Sequence, residues 1–132
     1  MSESAAPQRP RPLSPHLQVY KPQLTSITSI LHRITGIILS VGAVAMAWWL
    51  FAMAQGEGYY DFVAAVFASP IGWLALLGWA LCFYYHLLNG IRHLLWDTGY
   101  GLDLPTAYTT GKAALIGAAV LTVLTALFAV AG

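Results

Sequence analysis

Residues 70–96 read PIGWLALLGWALCFYYHLLNGIRHLLW, and this run decides the fold class of the chain. Arg92 is its one residue of fixed charge. A helix of roughly 20 apolar residues spans the hydrocarbon of a bilayer, which is about 30 Å thick. Pro70 suits the first turn of such a helix, where the missing N–H of proline costs nothing. The run therefore predicts a membrane-spanning helix.

The whole chain has the composition of an integral membrane protein. Of its 132 residues, 58% are hydrophobic and only 8% are charged, whereas about a quarter of the residues of a soluble domain are charged. Two further apolar stretches, 29–53 and 113–131, approach or exceed the length needed to span. The prediction is an all-α membrane protein with three transmembrane helices, short linkers at 55–69 and 98–111, and a place in a larger membrane helix bundle.

Length and charge limit the function classes. A chain of 132 residues has no room for a membrane bundle and a separate soluble domain, so any soluble chemistry that it serves must come from a partner chain. The net charge is +1 and no basic cluster occurs. Nucleic acid is therefore excluded as a partner, because its phosphates need many Lys or Arg contacts.

The chain divides into a predicted cytoplasmic arm at 1–28 and a predicted transmembrane domain at 29–132. Residues 1–15 read MSESAAPQRPRPLSP and contain four prolines, which disfavour helix. They also lack the apolar core of a secretory signal. We expect an extended arm that runs across the surface of the membrane or of a partner protein.

Orientation follows from the basic residues, which concentrate in the cytoplasmic flanks of spanning helices. All six fall on one side of the predicted bundle, whereas the first linker has two acids and no base. They are Arg9, Arg11, Lys21, Arg33, Arg92 and Lys112. The N-terminus is expected on the cytoplasmic side. The absence of a targeting segment favours a bacterial inner membrane, with the mitochondrial inner membrane as the alternative.

Three residues of the second predicted helix form a polar stripe, because His86, Gly90 and His93 stand at i, i+4 and i+7. An imidazole in hydrocarbon is costly unless it hydrogen-bonds or ligates, so ionisable residues within a membrane are candidates for functional sites. A haem ligand is one interpretation of His86, and a hydrogen bond between helices is the other. Gly90, Gly36 and Gly42 either admit a flat macrocycle or serve close helix packing.

The depth of each histidine follows from the predicted helix ends. The cytoplasmic boundary is expected near Ser29 and Trp96. A rise of about 1.5 Å per residue then places His32 and His93 roughly 5 Å inside the hydrocarbon and His86 roughly 15 Å inside. The axial nitrogens of one haem iron lie about 4 Å apart, but His86 and His93 are about 10.5 Å apart along their helix. No histidine of the first helix is expected at the depth of His86, so a second haem ligand would come from another protein chain.

A second cluster opens the first predicted helix, where Ser29, His32, Arg33 and Gly36 share one face by the i, i+3, i+4 rule. A hydroxyl and a guanidinium at the membrane edge can hydrogen-bond the carbonyl of a lipid-soluble quinone, and His32 or Arg33 can pair with a haem propionate. The alternatives are an ordinary helix N-cap at Ser29 and an Arg33 that extends to lipid phosphates.

Two motifs carry a family resemblance. The first is RPLSPHL at 11–17 followed by SILHRITG at 29–36, and the second is HLLNGIRHLLWD at 86–97 with Gly99 after it. Together with an uncharged third helix, they make the chain resemble, over essentially its whole length, the cytochrome b subunit of succinate dehydrogenase. That subunit is the first of the two membrane anchors of respiratory complex II.

This resemblance implies roles for individual residues. His86 would be an axial ligand of a haem b whose iron is shared with a histidine of the second anchor subunit. Ser29 and Arg33 would belong to a ubiquinone site, and His32, Arg33 and His93 would lie near the haem and its propionates. No catalytic residue is expected in this chain.

The resemblance also implies an enzyme complex. Succinate would be oxidised in a flavoprotein subunit, and electrons would pass through an iron–sulfur subunit to ubiquinone, which links the tricarboxylic acid cycle to the respiratory chain. The chain itself would anchor, bind and tune, without catalysis in isolation. One alternative is the anchor of a fumarate reductase. The other is a haem-free membrane scaffold in which His86 and His93 only hydrogen-bond between helices. A transporter is disfavoured, because the third helix has no charged or strongly polar residue to line a path.

Overall fold

A computed structural model describes residues 12, 14, 16 and 18–131 of the chain. Four helices follow one another: α1 at Leu24–Ala54, α2 at Glu57–Ala68, α3 at Pro70–Asp97 and α4 at Leu104–Ala131. No strand occurs among the residues that the structure describes. Most of the predicted arm, including the 11–17 motif except for residues 12, 14 and 16, lies outside the described residues.

Three of the helices, α1, α3 and α4, are long and apolar enough to cross a membrane. They contain 31, 28 and 28 residues, which at about 1.5 Å per residue exceeds the thickness of the hydrocarbon. Many of their large apolar side chains face outward, and Ile71 and Phe128 are 80% and 78% exposed. The all-α class and the three spanning helices are confirmed.

The centre of the fold is α3, which packs against both α4 and α1. The face of α4 that is buried against its neighbours consists of small residues at helical spacing. They are Ala107, Gly111, Ala114 and Ala118. A Cβ added at Gly117, next to this face, would lie 2.9 Å from the side chain of Leu88. Small residues let two membrane helices approach closely, which is how bundles pack without a hydrophobic driving force.

The first helix begins at Leu24, five residues before the predicted start at Ser29. Gln23 is its N-cap residue, and Pro22 stands just before it. The polar residues of the first turns had indicated a boundary. Hydroxyls in a helix can instead bond back to the backbone, as the Thr28 hydroxyl does by donating to the carbonyl of Thr25 at 3.1 Å. Ser29 therefore lies inside the helix and is not its N-cap.

The first predicted linker, 55–69, contains the twelve-residue helix α2. Its inward residues, Tyr60, Val63 and Phe67, recur at i, i+3 and i+7, and Val63 is fully buried. Acids and tyrosines interrupt the apolar residues of this short segment, so the sequence alone did not indicate a helix there. The expectation that Pro70 opens the next helix is confirmed, because α3 begins there with Ser69 as its N-cap, whose hydroxyl accepts from the backbone N–H of Gly72 at 3.1 Å.

The second predicted linker, 98–111, was also too long, because α4 begins at Leu104 and not at 113. Pro105 falls in the first turn, where proline is tolerated. Asp103 Oδ1 accepts from the backbone N–H of Thr106 at 2.9 Å, and this bond lowers the pKa of the Asp103 carboxyl. The preceding helix, α3, ends at Asp97, and Gly99 follows it with φ +85°. The backbone N–H of Gly99 donates to the carbonyl of Trp96 at 2.9 Å and that of Tyr100 to the carbonyl of Leu95 at 3.2 Å, which closes the last turn.

Candidate functional site

The motif at 86–97 is divided by the structure into two stripes on α3. Successive helical residues are rotated by about 100°, so His86, Gly90 and His93 lie along one side. The adjoining side carries Tyr85, Asn89, Arg92 and Trp96, and the first three of these are buried. The first stripe leads to a stack of histidines and the second to a buried arginine.

The histidine stack consists of His32, His86 and His93. The rings of His32 on α1 and His86 on α3 are parallel within 12°, with centroids 3.9 Å apart. The ring of His93 lies 5.1 Å from that of His32 at a tilt of 50°. The expectation that no histidine of the first helix reaches His86 was wrong. Depth counted from assumed helix ends ignored both the true start of α1 and the reach of the side chains along the helix axes.

The orientation of His86 is set by α1. Its Nδ1 lies 3.1 Å from the backbone oxygen of His32 and 3.2 Å from the hydroxyl oxygen of Thr35. A carbonyl oxygen only accepts, so Nδ1 must carry the proton. In a neutral imidazole the other nitrogen, Nε2, then keeps its lone pair. Within the described part of the chain, Nε2 of His86 makes no hydrogen bond, so it is free to bind a metal.

Gly36 makes this arrangement possible. A Cβ added at Gly36 would lie 3.1 Å from Cε1 of His86, which is closer than ordinary carbon contacts. The absent side chain therefore lets the His86 ring lie against α1. Gly90 differs, because a Cβ there would meet Cε1 of His32 at an ordinary 3.7 Å. At Gly42, the indole of Trp79 occupies the space that a Cβ would need, so an added Cβ would collide with it.

Arg92 is a residue of the site that sequence reasoning missed. It served there only as one of six basic residues that indicate orientation, but its side chain is 5% exposed and lies inside the bundle. Its Nε donates to the Thr110 hydroxyl at 3.0 Å and one terminal nitrogen donates to the carbonyl of Ala107 at 2.8 Å. The other terminal nitrogen donates to Asn89 Oδ1 at 3.3 Å and to the Thr28 hydroxyl at 3.4 Å. One guanidinium thus joins α1, α3 and α4.

The buried side of α3 had a signal in the sequence. Tyr85, Asn89, Arg92 and Trp96 stand at i, i+4, i+7 and i+11, which is the spacing of one helix face. The hydroxyl of Tyr85 donates to the backbone oxygen of Thr28 at 2.6 Å. This second periodicity overlaps the histidine stripe in the same segment of α3.

Trp96 connects the two groups. The guanidinium carbon of Arg92 lies 3.9 Å from the centroid of the Trp96 ring, within the range of a cation–π interaction. The indole N–H donates to the carbonyl of Gly101 at 2.9 Å, which holds the ring in place. The Trp96 ring also contacts the ring of His93, with centroids 5.0 Å apart and the ring planes nearly perpendicular. The arginine is therefore connected to the histidine stack through one aromatic ring.

Ser29 and Arg33, the predicted quinone residues, lie one turn apart on α1 beside the histidine stack. Ser29 is half-buried and Arg33 is exposed. Neither side chain forms a hydrogen bond to another described residue. Asp97, five residues after Arg92 on α3, is exposed, and no ion pair joins the two within the described residues. The structure brings together His32, His86, His93 and Gly36, with Ser29 and Arg33 at the edge of that group.

The donor set fits one axial nitrogen of a haem. His86 has a fixed tautomer and a free Nε2, and a backbone carbonyl on the opposite ring nitrogen is the usual support of a metal-bound histidine. His32 cannot supply the second axial nitrogen, because stacked rings present their faces to each other while axial lone pairs lie in the ring planes. Nδ1 of His32 is buried without a hydrogen-bond partner among the described residues. A haem here therefore needs a second ligand from outside the described chain.

Two cavities of the molecule lie away from the histidine stack. One of about 570 Å³ lies between α1, α2 and α3 towards their other ends, and its lining is almost wholly apolar. Another, of about 430 Å³, lies between α3 and α4 beside Arg92 and Trp96. Neither is lined by the histidine stack. His32, His86 and His93 are each half-buried, so the candidate site lies on a partly exposed face of the bundle, outside these two cavities.

Comparison with known proteins gives a consistent result. The family described as succinate dehydrogenase/fumarate reductase transmembrane subunit matches residues 7–125. A succinate dehydrogenase cytochrome b556 subunit from Paracoccus denitrificans is 48% identical over 117 residues, which cover 87% of this chain and 88% of the relative. The subunit of the same name from Rickettsia conorii is 39% identical over 114 residues, covering 86% and 89%. A cytochrome b560 subunit from Marchantia polymorpha is 41% identical over 121 residues, covering 86% and 87%.

Proposed function

This chain belongs to the family of succinate dehydrogenase and fumarate reductase transmembrane subunits, and from that premise we propose how its residues serve a haem and a quinone. It is a membrane anchor subunit of succinate dehydrogenase, an oxidoreductase complex. The name cytochrome b implies a haem b, and membership of such a complex implies partner subunits. The proposal concerns which residues of this chain meet them.

His86 is the residue of this chain that would hold the haem iron, through Nε2. The observation that carries the assignment is the hydrogen bond from Nδ1 of His86 to the backbone of His32, because it leaves Nε2 as the free acceptor. A second ligand would be a histidine of the second membrane anchor subunit. When bound, a haem b accepts and donates one electron at its iron. His32 and His93, beside His86, and Arg33 provide donors near the haem and its propionates.

Ser29 and Arg33 form this chain's part of a ubiquinone site. They lie on α1 beside the stack, and the exposed guanidinium of Arg33 is free to meet a ligand or a partner. The Ser29 hydroxyl donates a hydrogen bond to one quinone oxygen. Arg33 stabilises the negative charge that develops on that oxygen during reduction. Both roles need the partly exposed face of the bundle, where an iron–sulfur subunit can approach.

In the assembled enzyme, succinate is oxidised in the flavoprotein subunit and the electrons pass through the iron–sulfur subunit to ubiquinone. The isolated chain has no catalysis of its own. We place it in a bacterial inner membrane with its N-terminus on the cytoplasmic side, in keeping with relatives from Paracoccus and Rickettsia. A fumarate reductase anchor would use the same residues in the opposite direction, and a mitochondrial inner membrane is the alternative location.

The experiment that tests the haem assignment compares the reduced minus oxidised absorbance spectra of three forms of the assembled complex: the wild type, His86→Ala and His93→Ala. The wild type should give a b-type spectrum, and His86→Ala should lose it or disturb it grossly. His93→Ala is the comparison, because it removes a ring of the same type from the same helix and leaves His86 in place; since His93 is proposed to lie near the haem and not to hold the iron, this variant should shift the b-type spectrum without abolishing it. An unchanged spectrum in His86→Ala would refute the assignment and favour the haem-free scaffold.

A further inference from the structure

Arg92 holds a positive charge inside the bundle that no carboxylate of the described residues neutralises. Each of its hydrogen-bond acceptors in the described chain is a neutral oxygen, from Thr28, Asn89, Ala107 and Thr110. The nearest acid along the chain, Asp97, is exposed, and no ion pair between the two occurs within the described residues. A buried charge without a counter-charge is expensive, and ionisable residues within membrane helices are candidates for functional sites.

Hydrogen bonds and packing hold the Arg92 guanidinium in one position. An arginine side chain stays protonated in proteins, and its planar fork here makes four hydrogen bonds to three helices. Packing on Trp96 fixes the plane of the fork from one side. The charge therefore has one position, and an electrostatic effect on a neighbouring group is built into the fold and does not depend on a mobile side chain.

The neighbouring group is the histidine stack. Trp96, which lies under the guanidinium, meets His93 at 5.0 Å, and the stack continues from His93 to His32 and His86. Within the helix bundle, these ring contacts lead from the charge of Arg92 through Trp96, His93 and His32 to the ligand that we propose for the haem. In such surroundings the effective dielectric constant is low, so a charge acts over a longer distance than it does in water.

We propose that Arg92 is a positioning residue of the haem site whose fixed charge raises the reduction potential of the haem. The inference rests on the function proposed above. A reduced haem carries one more negative charge than an oxidised one, so a fixed cation nearby stabilises the reduced form. Net charge and burial around a haem are among the factors through which a protein sets its potential.

The test is an optical redox titration of the haem in the assembled complex. Arg92→Gln removes the charge and should lower the midpoint potential, whereas Arg92→Lys keeps the charge and should restore most of the wild-type value. Lys112→Gln is the matched control, because it also removes one positive charge from the chain but at an exposed position on α4. It should leave the potential unchanged.

A second pair of variants tests the charge with Arg92 in place. Thr110→Asp puts a carboxylate where Nε of Arg92 now donates to a hydroxyl, so it neutralises the charge and should lower the potential as Arg92→Gln does. Thr110→Asn supplies an oxygen without charge and should behave as the wild type. This pair decides the matter even where Arg92→Gln fails to assemble.

An unchanged midpoint potential in Thr110→Asp, with the haem bound, would overturn the inference. Equal shifts in Thr110→Asp and Thr110→Asn would overturn it as well, because they would show that shape and not charge matters. Either failure leaves the haem function intact if His86→Ala loses the spectrum. A native spectrum in His86→Ala would instead refute the proposed function.

Discussion

Gly36 should control how firmly this chain holds a haem, and Gly36→Ala is the perturbation that tests the geometry of His86 most directly. The added Cβ would lie 3.1 Å from Cε1 of His86, so the ring must retreat by a few tenths of an ångström. The hydrogen bond from Nδ1 of His86 to the carbonyl of His32 is now 3.1 Å long. A retreat of about 0.4 Å brings it to the limit at which a contact counts as a hydrogen bond.

The expected size of the effect follows from that bond. A hydrogen bond between membrane helices contributes about 0.6–1 kcal/mol, which corresponds to a factor of roughly three to five in an equilibrium. Loss of a group that orients a metal-binding histidine typically costs about 10- to 100-fold in affinity. Since the ring is displaced and not removed, we expect haem binding to weaken by about three- to tenfold.

The assay is the rate at which the purified complex transfers haem to excess apomyoglobin, followed by absorbance. Gly90→Ala is the matched control, because its Cβ would meet the His32 ring at an ordinary 3.7 Å. Gly36→Ala should release haem several times faster than the wild type, while Gly90→Ala should not. Equal rates in all three proteins, or the same acceleration in both variants, would refute the reasoning.

Two further predictions concern the edges of the structure. Arg33→Leu should reduce the rate of quinone reduction by about tenfold or more, because the cation that stabilises the developing negative charge is lost, while transfer from succinate to an artificial acceptor at the soluble subunits persists; equal loss of both activities would instead indicate failed assembly. Asp103, whose pKa is lowered by its bond to the N–H of Thr106, should stabilise α4 fully above its unfolded pKa of about 3.9 and progressively less as the pH falls through the lower folded value. Thermal unfolding of the protein in detergent across this acid range checks it against Asp103→Asn, which keeps an oxygen acceptor without charge; identical acid dependence in the two proteins would contradict the role of the carboxylate.

The arrangement of His86 also bears on the haem-free alternative. That alternative predicts a hydrogen bond between helices at His86, and the structure has one, from Nδ1 to the backbone of His32. The bond uses only one of the two ring nitrogens. The bond is therefore compatible with both the haem-ligand hypothesis and the haem-free scaffold. If His86 binds haem, this bond selects the tautomer that can bind iron.

Helix existence and type were predictable for the long apolar runs. The start of α3 at Pro70 followed from proline chemistry, and three spans followed from the lengths of the apolar stretches. The starts of α1 and α4 were not predictable in the same way, because polar residues there are compatible with either loop or helix. The threonines at the start of α4 fit within the helix because their hydroxyls donate to its backbone carbonyls, as the Thr110 hydroxyl does to the carbonyl of Thr106 at 2.8 Å.

The candidate site, like the helix boundaries, was only partly predictable from the sequence. The sequence by itself determined that this is a membrane protein and that His32, Arg33, His86 and His93 are candidate residues, because composition and local spacing carry that information. Only the tertiary structure decided that His32 stacks on His86 and that Arg92 is buried among three helices. Those facts depend on the rotation and axial offset of one helix against another. Offset and rotation are set by side-chain packing across the interface, down to a single missing Cβ at Gly36, and spacing within one helix does not contain them.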